Sequence, residues 1–264
     1  TITDVAVVPT WGMVSMGILA VGSATTAVLP ALSADLGTLA WHVDDAMWVI
    51  GTVIGLCTAV GFTVVLLRGR GGTPTTVWGL ALVPPMVSAT TGAALAQHFT
   101  QFTDVYFTVS LGCFVLAVLI APATFARCYH HHLRVAPPVG AASASAWIPL
   151  GVVGQSAAAA LKLSSVADAW STAAIVYAVA MLVLAAPLAV WAIYHTAVGF
   201  RDGMPFVPGW WAMTFPVGTV ALGAHELGAH TGWTWATAVG IAVLGVLACT
   251  WTLCAAATVR ATAR

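Results

Sequence analysis

The sequence predicts an all-α integral membrane protein of about eight transmembrane helices, arranged as four repeated hairpins. Three observations predict it. Hydrophobic residues make up 60% of the chain and charged residues 6%, with a mean hydropathy of +0.98. The few charges stand between long uncharged runs. Those runs alternate between two compositions.

A soluble domain carries about 25% charged residues, which it needs to cover its surface. This chain has too few, so lipid must be the solvent for most of it. Its formal net charge is zero, which argues against a polybasic membrane patch and against nucleic-acid binding. No soluble segment is long enough for a second domain, so residues 1–264 form one transmembrane domain. The cysteines Cys57, Cys113, Cys128, Cys249 and Cys254 form no CxxC pair. Most lie in apolar runs, where Cys behaves as a small hydrophobe. The segment Thr1 to Pro9 has no basic stretch and no cleavage pattern of a signal peptide.

The uncharged runs are 5–34, 46–67, 71–103, 105–126, 135–161, 169–200, 203–225 and 227–259. A crossing needs about 20 apolar residues at 1.5 Å rise each. Each run therefore holds one helix, with spans predicted at 11–31, 46–67, 76–97, 104–126, 142–162, 172–198, 209–227 and 233–258. Eight spans put Arg68, Arg70, Arg127, Arg134, Arg201, Arg260 and Arg264 on one side. The other side holds Lys162 with Asp35, Asp44, Asp45, Asp104, Asp168 and Glu226. Basic residues mark the cytoplasmic side, so both ends of this chain are predicted to be cytoplasmic, in a multi-pass cell-membrane protein.

The odd and even spans differ. The first reads WGMVSMGILAVGSATTAV, the third GLALVPPMVSATTGAAL, the fifth SAWIPLGVVGQSAAAAL and the seventh WWAMTFPVGTVALGA. They are rich in Gly, Ser and Thr. Three carry prolines near the middle, at Pro84–Pro85, Pro149 and Pro216. The even spans, such as MWVIGTVIGLCTAVGFTVVLL, are more uniformly large and apolar. Lipid-facing surface favours large apolar side chains, whereas small residues and hydroxyls suit helix contacts and water. Proline frees backbone carbonyls that only protein or a water-filled cavity can satisfy. The odd helices are thus predicted to form an inner pore ring, with the even helices outside them. The segments SMGILAVGS, PPMVSATTG, IPLGVVGQS and FPVGTVALG, anchored at Met16, Pro85, Pro149 and Pro216, recur at steps of 69, 64 and 67 residues. Each step is one hairpin, as in repeat-built transporters.

An uncharged inner ring can hold small anions weakly, through hydroxyls, amides and oriented backbone dipoles. The candidate contacts are Ser15, Ser23, Thr25, Ser88, Thr90, Thr91, Gln155, Ser156, Thr214 and Thr219, with Pro85, Pro149 and Pro216 as kinks. No ionised residue is expected at mid-span. Catalytic residues, metal sites and cofactors are not predicted. His225-Glu226 with His230 has its two His five apart rather than the four a zinc helix needs. His130-His131-His132 reads as a solvated loop, Asp44-Asp45 is too sparse for a calcium loop, and Met13, Met16 and Met86 read as packing residues. The competing classes are an integral-membrane enzyme, which lacks a clustered nucleophile or acid–base pair, and a non-transporting membrane scaffold.

Trp210–Trp211 followed by Ala212-Met213-Thr214-Phe215-Pro216-Val217-Gly218-Thr219 resembles the WW-x-x-x-F-P segment of the tellurite-resistance/dicarboxylate transporter family. That family includes malic acid transporters, sulfite efflux pumps and plant slow anion channels. The run Val83–Gly92 and the run Trp147–Gly151 with Gly154-Gln155-Ser156 are similar to two further signatures of its malate-type branch, and Gly12–Gly17 is similar to its third helix. The resemblance implies transport of a small anion, C4-dicarboxylate (malate-type) or sulfite. It implies ten helices in five hairpins around a pore, and assembly as a homotrimer. It assigns the pore-plugging phenylalanine to Phe215. Four hairpins are counted here, so a further hairpin is expected upstream of Thr1.

Overall fold

The computed structural model describes residues 8–33 and 35–263. The expectations that fall on Thr1 and Arg264 lie outside the described residues. Among these, the secondary structure is wholly helical: α1 (Trp11–Leu32), α2 (Asp35–Leu67), α3 (Val83–His98), α4 (Thr103–Arg134), α5 (Ile148–Ser164), α6 (Ser171–Arg201), α7 (Phe215–Thr231) and α8 (Thr234–Thr262). Seven helical segments are long and apolar enough to cross a membrane. The expected span 209–227 falls on a 3-10 stretch, Pro208–Met213, followed by the 17 residues of α7. The protein is an all-α, multi-pass membrane protein.

The helices differ in continuity. α2, α4, α6 and α8 run unbroken for 33, 32, 31 and 29 residues. At 1.5 Å per residue they are roughly 45–50 Å long, against about 30 Å of hydrocarbon. The predicted second span began at 46 because charges served as its boundary, yet the helix runs back to Asp35. Nothing between Asp35 and Asp45 breaks a helix, and Asp35 in the first turn complements the helix dipole. By contrast α3, α5 and α7 have only 16, 17 and 17 residues. Each follows a 3-10 stretch: Thr76–Ala81, Gly140–Trp147 and Pro208–Met213. Pro85, Pro149 and Pro216 sit in the first turn of the α-helix after that stretch, so they mark junctions rather than bends within one continuous helix. Their missing N–H groups fall where a helix has none to bond.

Burial follows continuity. The most apolar stretches of Thr76–His98 and Gly140–Ser164 are 89% and 100% buried, against 33%, 17% and 11% for those of Thr100–Arg134, Asp168–Arg201 and Thr234–Thr262. The first helix departs from the other odd ones: its stretch is 28% buried, and Met13, Val14, Val21, Val28 and Leu32 are exposed. α1 is unbroken and has only the three-residue 3-10 turn Val8–Thr10 at its start.

Contacts divide the chain into two compact units. The first comprises Thr1–Thr73, Trp78–Ala123 and Lys162–Ala169. Here α1 and α2 form an antiparallel hairpin zipped by small residues. A Cβ on Gly51 would stand 2.7 Å from Leu19 Cγ. One on Gly55, a turn further on, would stand 2.8 Å from both Ser15 Oγ and Pro84 Cβ. Small residues four apart allow such close approach without a cavity. Gly12 lies directly against the Leu80 carbonyl.

The second unit comprises Pro74–Val77, Thr124–Leu161 and Trp170–Arg264. α5 and α7 pack backbone to backbone: a Cβ on Gly154 would strike the Thr219–Val220 peptide, and one on Gly223 would stand 2.8 Å from the Gly154 carbonyl oxygen. Gly232, at φ 74°, ends α7 in the left-handed conformation, and α8 starts two residues later. The core of this unit gathers Trp147, Leu150, Val153, Trp210, Met213 and Val217.

Candidate functional site

In the second unit the site residues lie where 3-10 backbone gives way to α-helix. The tandem tryptophans hold the segment before α7. Trp210 Nε1 donates to the Pro205 carbonyl at 3.1 Å, and its ring meets Phe200 and Phe206 edge-on at 4.9 and 5.4 Å. Trp211 Nε1 donates to Thr258 Oγ1 on α8 at 3.2 Å. Trp147, at the equivalent place before α5, donates to Thr196 Oγ1 on α6 at 2.8 Å. These anchors fix the broken backbone to the continuous helices beside it.

Thr214 donates to the Trp211 carbonyl at 2.7 Å, closing the last 3-10 turn. Phe215 then opens α7. It is half-buried, with Pro216 buried behind it. Thr219 donates to the Pro216 carbonyl at 2.8 Å and reaches Leu150 of α5 at 3.4 Å. Pro149, Pro216 and Thr219 are thus brought to one place, the α5–α7 contact. Ser156 donates to the Val153 carbonyl at 2.9 Å and is hydrogen-bonded by Tyr177 of α6. Gln155 is buried on the same helix.

In the first unit Ser15 donates to the Gly51 carbonyl at 2.6 Å. Thr90 and Thr91 donate back to Met86 and Val87 at 3.1 and 3.0 Å. The Ser88 carbonyl accepts from Trp48 Nε1 at 2.9 Å, while Ser88 Oγ is fully buried without a hydrogen-bond partner. Pro85 is buried beside it. Of the remaining candidates, Thr25 donates to the Gly22 and Ala40 carbonyls at 2.6 and 3.2 Å, and Ser23 is half-buried.

Most of the predicted anion contacts therefore spend their hydroxyl proton on a backbone carbonyl. A hydroxyl in that state offers lone pairs, and it must rotate before it can donate to an anion. The hydroxyl pattern marks where helices are stitched together, while Ser88 Oγ is buried with no hydrogen-bond partner.

Other motifs resolve into helix ends. His130-His131-His132 lies in the last turns of α4 rather than in a loop, and His132 is buried with Nδ1 3.0 Å from the Ala136 carbonyl. His225, Glu226 and His230 lie in the last turns of α7, with His230 Nε2 2.9 Å from Ser171 Oγ. Among the described residues no three His, Cys, Asp or Glu side chains gather as a metal site.

Some functional-grade residues escaped the sequence reading. Asp44 is 2% exposed inside α2, and Asp45 beside it accepts from Tyr106 Oη of α4 at 2.7 Å. Trp48, one turn on, packs edge-on to Tyr106 at 5.2 Å. Their signal was the absence of any breaker after Asp35, which a charge-bounded span conceals.

The voltage-dependent anion channel family model matches residues 1–259. The chain belongs to that family. Among curated relatives of this anion channel family, the chain is 28% identical over 240 residues to a sulfite efflux pump of Arthroderma benhamiae, covering 83% of this chain and 61% of the relative. It is 28% identical to the sulfite efflux pump of Trichophyton rubrum over the same shares. It is 30% identical over 203 residues to that of Arthroderma otae, covering 69% of this chain and 52% of the relative. The chain thus spans between half and two-thirds of the length of these relatives. No solved structure matches it.

Proposed function

We propose that this chain is the membrane-embedded body of a small-anion transporter. The observation that carries the reading is the match of an anion channel family over residues 1–259. Support comes from the broken helices: α3, α5 and α7 hold buried Ser, Thr and junction backbone, while the continuous helices present large apolar side chains outward. Sulfite is the first substrate to test, because the curated relatives carry that name. A C4-dicarboxylate of the malate type, implied by the family resemblance, is the second.

In this proposal the pathway is uncharged and lined by hydroxyls and junction dipoles, and Phe215 is its gate. A large ring at a helix start, beside Pro216 and small residues, forms a constriction that excludes water. Residues 1–264 act as one transport domain in the cell membrane, with both ends cytoplasmic, and copies assemble as trimers.

Purified protein in liposomes, assayed for sulfite, malate and chloride flux, tests the reading. Flux of at least one anion above that of empty liposomes is expected, and none with any of the three would refute it. For topology, an introduced Cys at Asp168 should label from outside and one at Arg134 should not.

A further inference from the structure

We propose that Asp44 is a buried proton-binding site in the α1–α2 contact, and that it must hold its proton for anions to cross. The inference rests on the anion-transport reading and adds a second, coupled ligand to it.

Gly22 is the twelfth of the 22 residues of α1, hence at its midpoint. Asp44 of α2 fills the space a side chain on Gly22 would need: a Cβ there would stand 2.7 Å from Asp44 Oδ1. Asp44, the tenth of the 33 residues of α2, thus lies in the α1–α2 contact, level with the first turn of α4, whose Tyr106 bonds the neighbouring Asp45. It is 2% exposed, and Oδ1 has no hydrogen-bond partner.

The surroundings offer no counter-charge. α1 carries no titratable residue between Trp11 and Leu32. α3 brings only His98, whose ring stacks on Trp41 at 4.0 Å. α4 brings Tyr106, committed to Asp45 at 2.7 Å, and Asp104 in its first turn. α2 itself adds the like-charged Asp45, with Asp35 and His42 nearer its start. The 3-10 turn Val8–Thr10 adds none.

An ion in this position is costly without a paired cation. As a neutral acid, Asp44 needs none. Ionised, it places a fixed negative charge in the buried interior, and at low dielectric that charge repels a passing anion at long range. Uptake of one proton from the aqueous phase converts the carboxylate to the acid and removes the barrier. The Gly22 notch gives the acid room that any larger residue would deny it.

The test uses chloride, whose charge does not change with pH, in liposomes holding the full chain. Between about pH 5 and about pH 8, wild-type flux should fall about tenfold per pH unit once Asp44 releases its proton. Asp44→Asn should hold the low-pH flux throughout, and Asp44→Glu should keep a falling profile. Infrared difference spectra on the same protein should show a carboxylic acid band that is lost on raising pH and absent in Asp44→Asn. That band does not depend on transport, so an absent flux with the band present sinks the transport reading and leaves the proton site standing. A wild-type pH profile in a folded Asp44→Asn, no acid band at any pH, or flux that needs sodium rather than protons when choline replaces it would each overturn the proposal.

Discussion

The buried, broken helices α3 and α5 and the exposed, unbroken α4, α6 and α8 come from one chain of nearly uniform apolarity, yet they obey different rules. A backbone group facing lipid has no water to bond, so an exposed helix must satisfy every N–H and C=O internally. The long helices do so over 29–32 residues, apart from the bonds lost at Pro122 and Pro187. A 3-10 stretch of six or eight residues has weaker hydrogen bonds and rarely runs so long. Here Thr76–Ala81 is buried or half-buried throughout and Ser143–Trp147 is buried, while Gly140–Ala142 and Pro208–Gly209 are exposed. Gly140–Ser164, the most completely buried segment, also carries the longest such stretch, Gly140–Trp147.

The largest effect expected from this contrast is at Gly154. A Cβ there would strike the Thr219–Val220 backbone of α7, which cannot give way as a side chain would. Gly154→Val should abolish the folded state or cost more than about 3 kcal/mol, the upper end for overpacking. Gly112, on the exposed face of α4, has nothing within 4 Å of its Cβ position. Gly112→Val should change stability by less than about 0.5 kcal/mol. Melting temperatures of both variants in one detergent decide it, and equal losses would break the comparison.

The next is functional. Phe215 is half-buried, so Phe215→Ala should cost less than the roughly 3–5 kcal/mol of a fully buried ring. If it gates, anion flux should rise in Phe215→Ala and rise less in Phe215→Leu. Flux unchanged in a well-folded Phe215→Ala protein would end the gate assignment.

A smaller effect is expected at Trp147. Trp147→Phe replaces the indole with a smaller ring and leaves Thr196 Oγ1 without its 2.8 Å donor. About 1 kcal/mol should be lost, and Thr196→Val in the same background should recover part of it. Additive losses in this double-mutant cycle would show that the bond does not anchor the junction.

The all-α membrane class and the approximate helix number were legible because charge is so costly in lipid that it punctuates the chain. The same cue concealed Asp44: a buried carboxylate looks like a loop residue when every charge is read as a span end. Hydroxyls were legible as a pattern but not in role, since Ser and Thr that bond their own helix look the same in sequence as those that line a path. Ser156 and Thr91 belong to the first kind by geometry. The first helix was the least legible of the odd set. Its Gly, Ser and Thr content matches the others, yet it lacks a proline junction at mid-span and stays mostly exposed.

Proline itself gives the last and smallest test of what separates the two kinds of helix. Reading Pro85, Pro149 and Pro216 as markers of the inner helices overlooks Pro122 within α4 and Pro187 within α6, which lie inside continuous, exposed helices. At those positions the ring removes an i→i−4 hydrogen bond and presses on the preceding turn. At Pro149, second in α5, the missing N–H would be unbonded anyway, and the fixed φ suits a helix start. The two sites should therefore respond in opposite directions to the same change. Pro187→Ala should raise stability by about 1 kcal/mol, since it restores a hydrogen bond that lipid cannot supply. Pro149→Ala should lower it by a similar or smaller amount, because the unfolded chain gains freedom while the helix start loses its preset angle. Thermal unfolding of both variants in lipid nanodiscs measures the difference. If Pro187→Ala destabilises as Pro149→Ala does, proline acts in both places through local packing, and junction position would not be what distinguishes the broken helices from the unbroken ones.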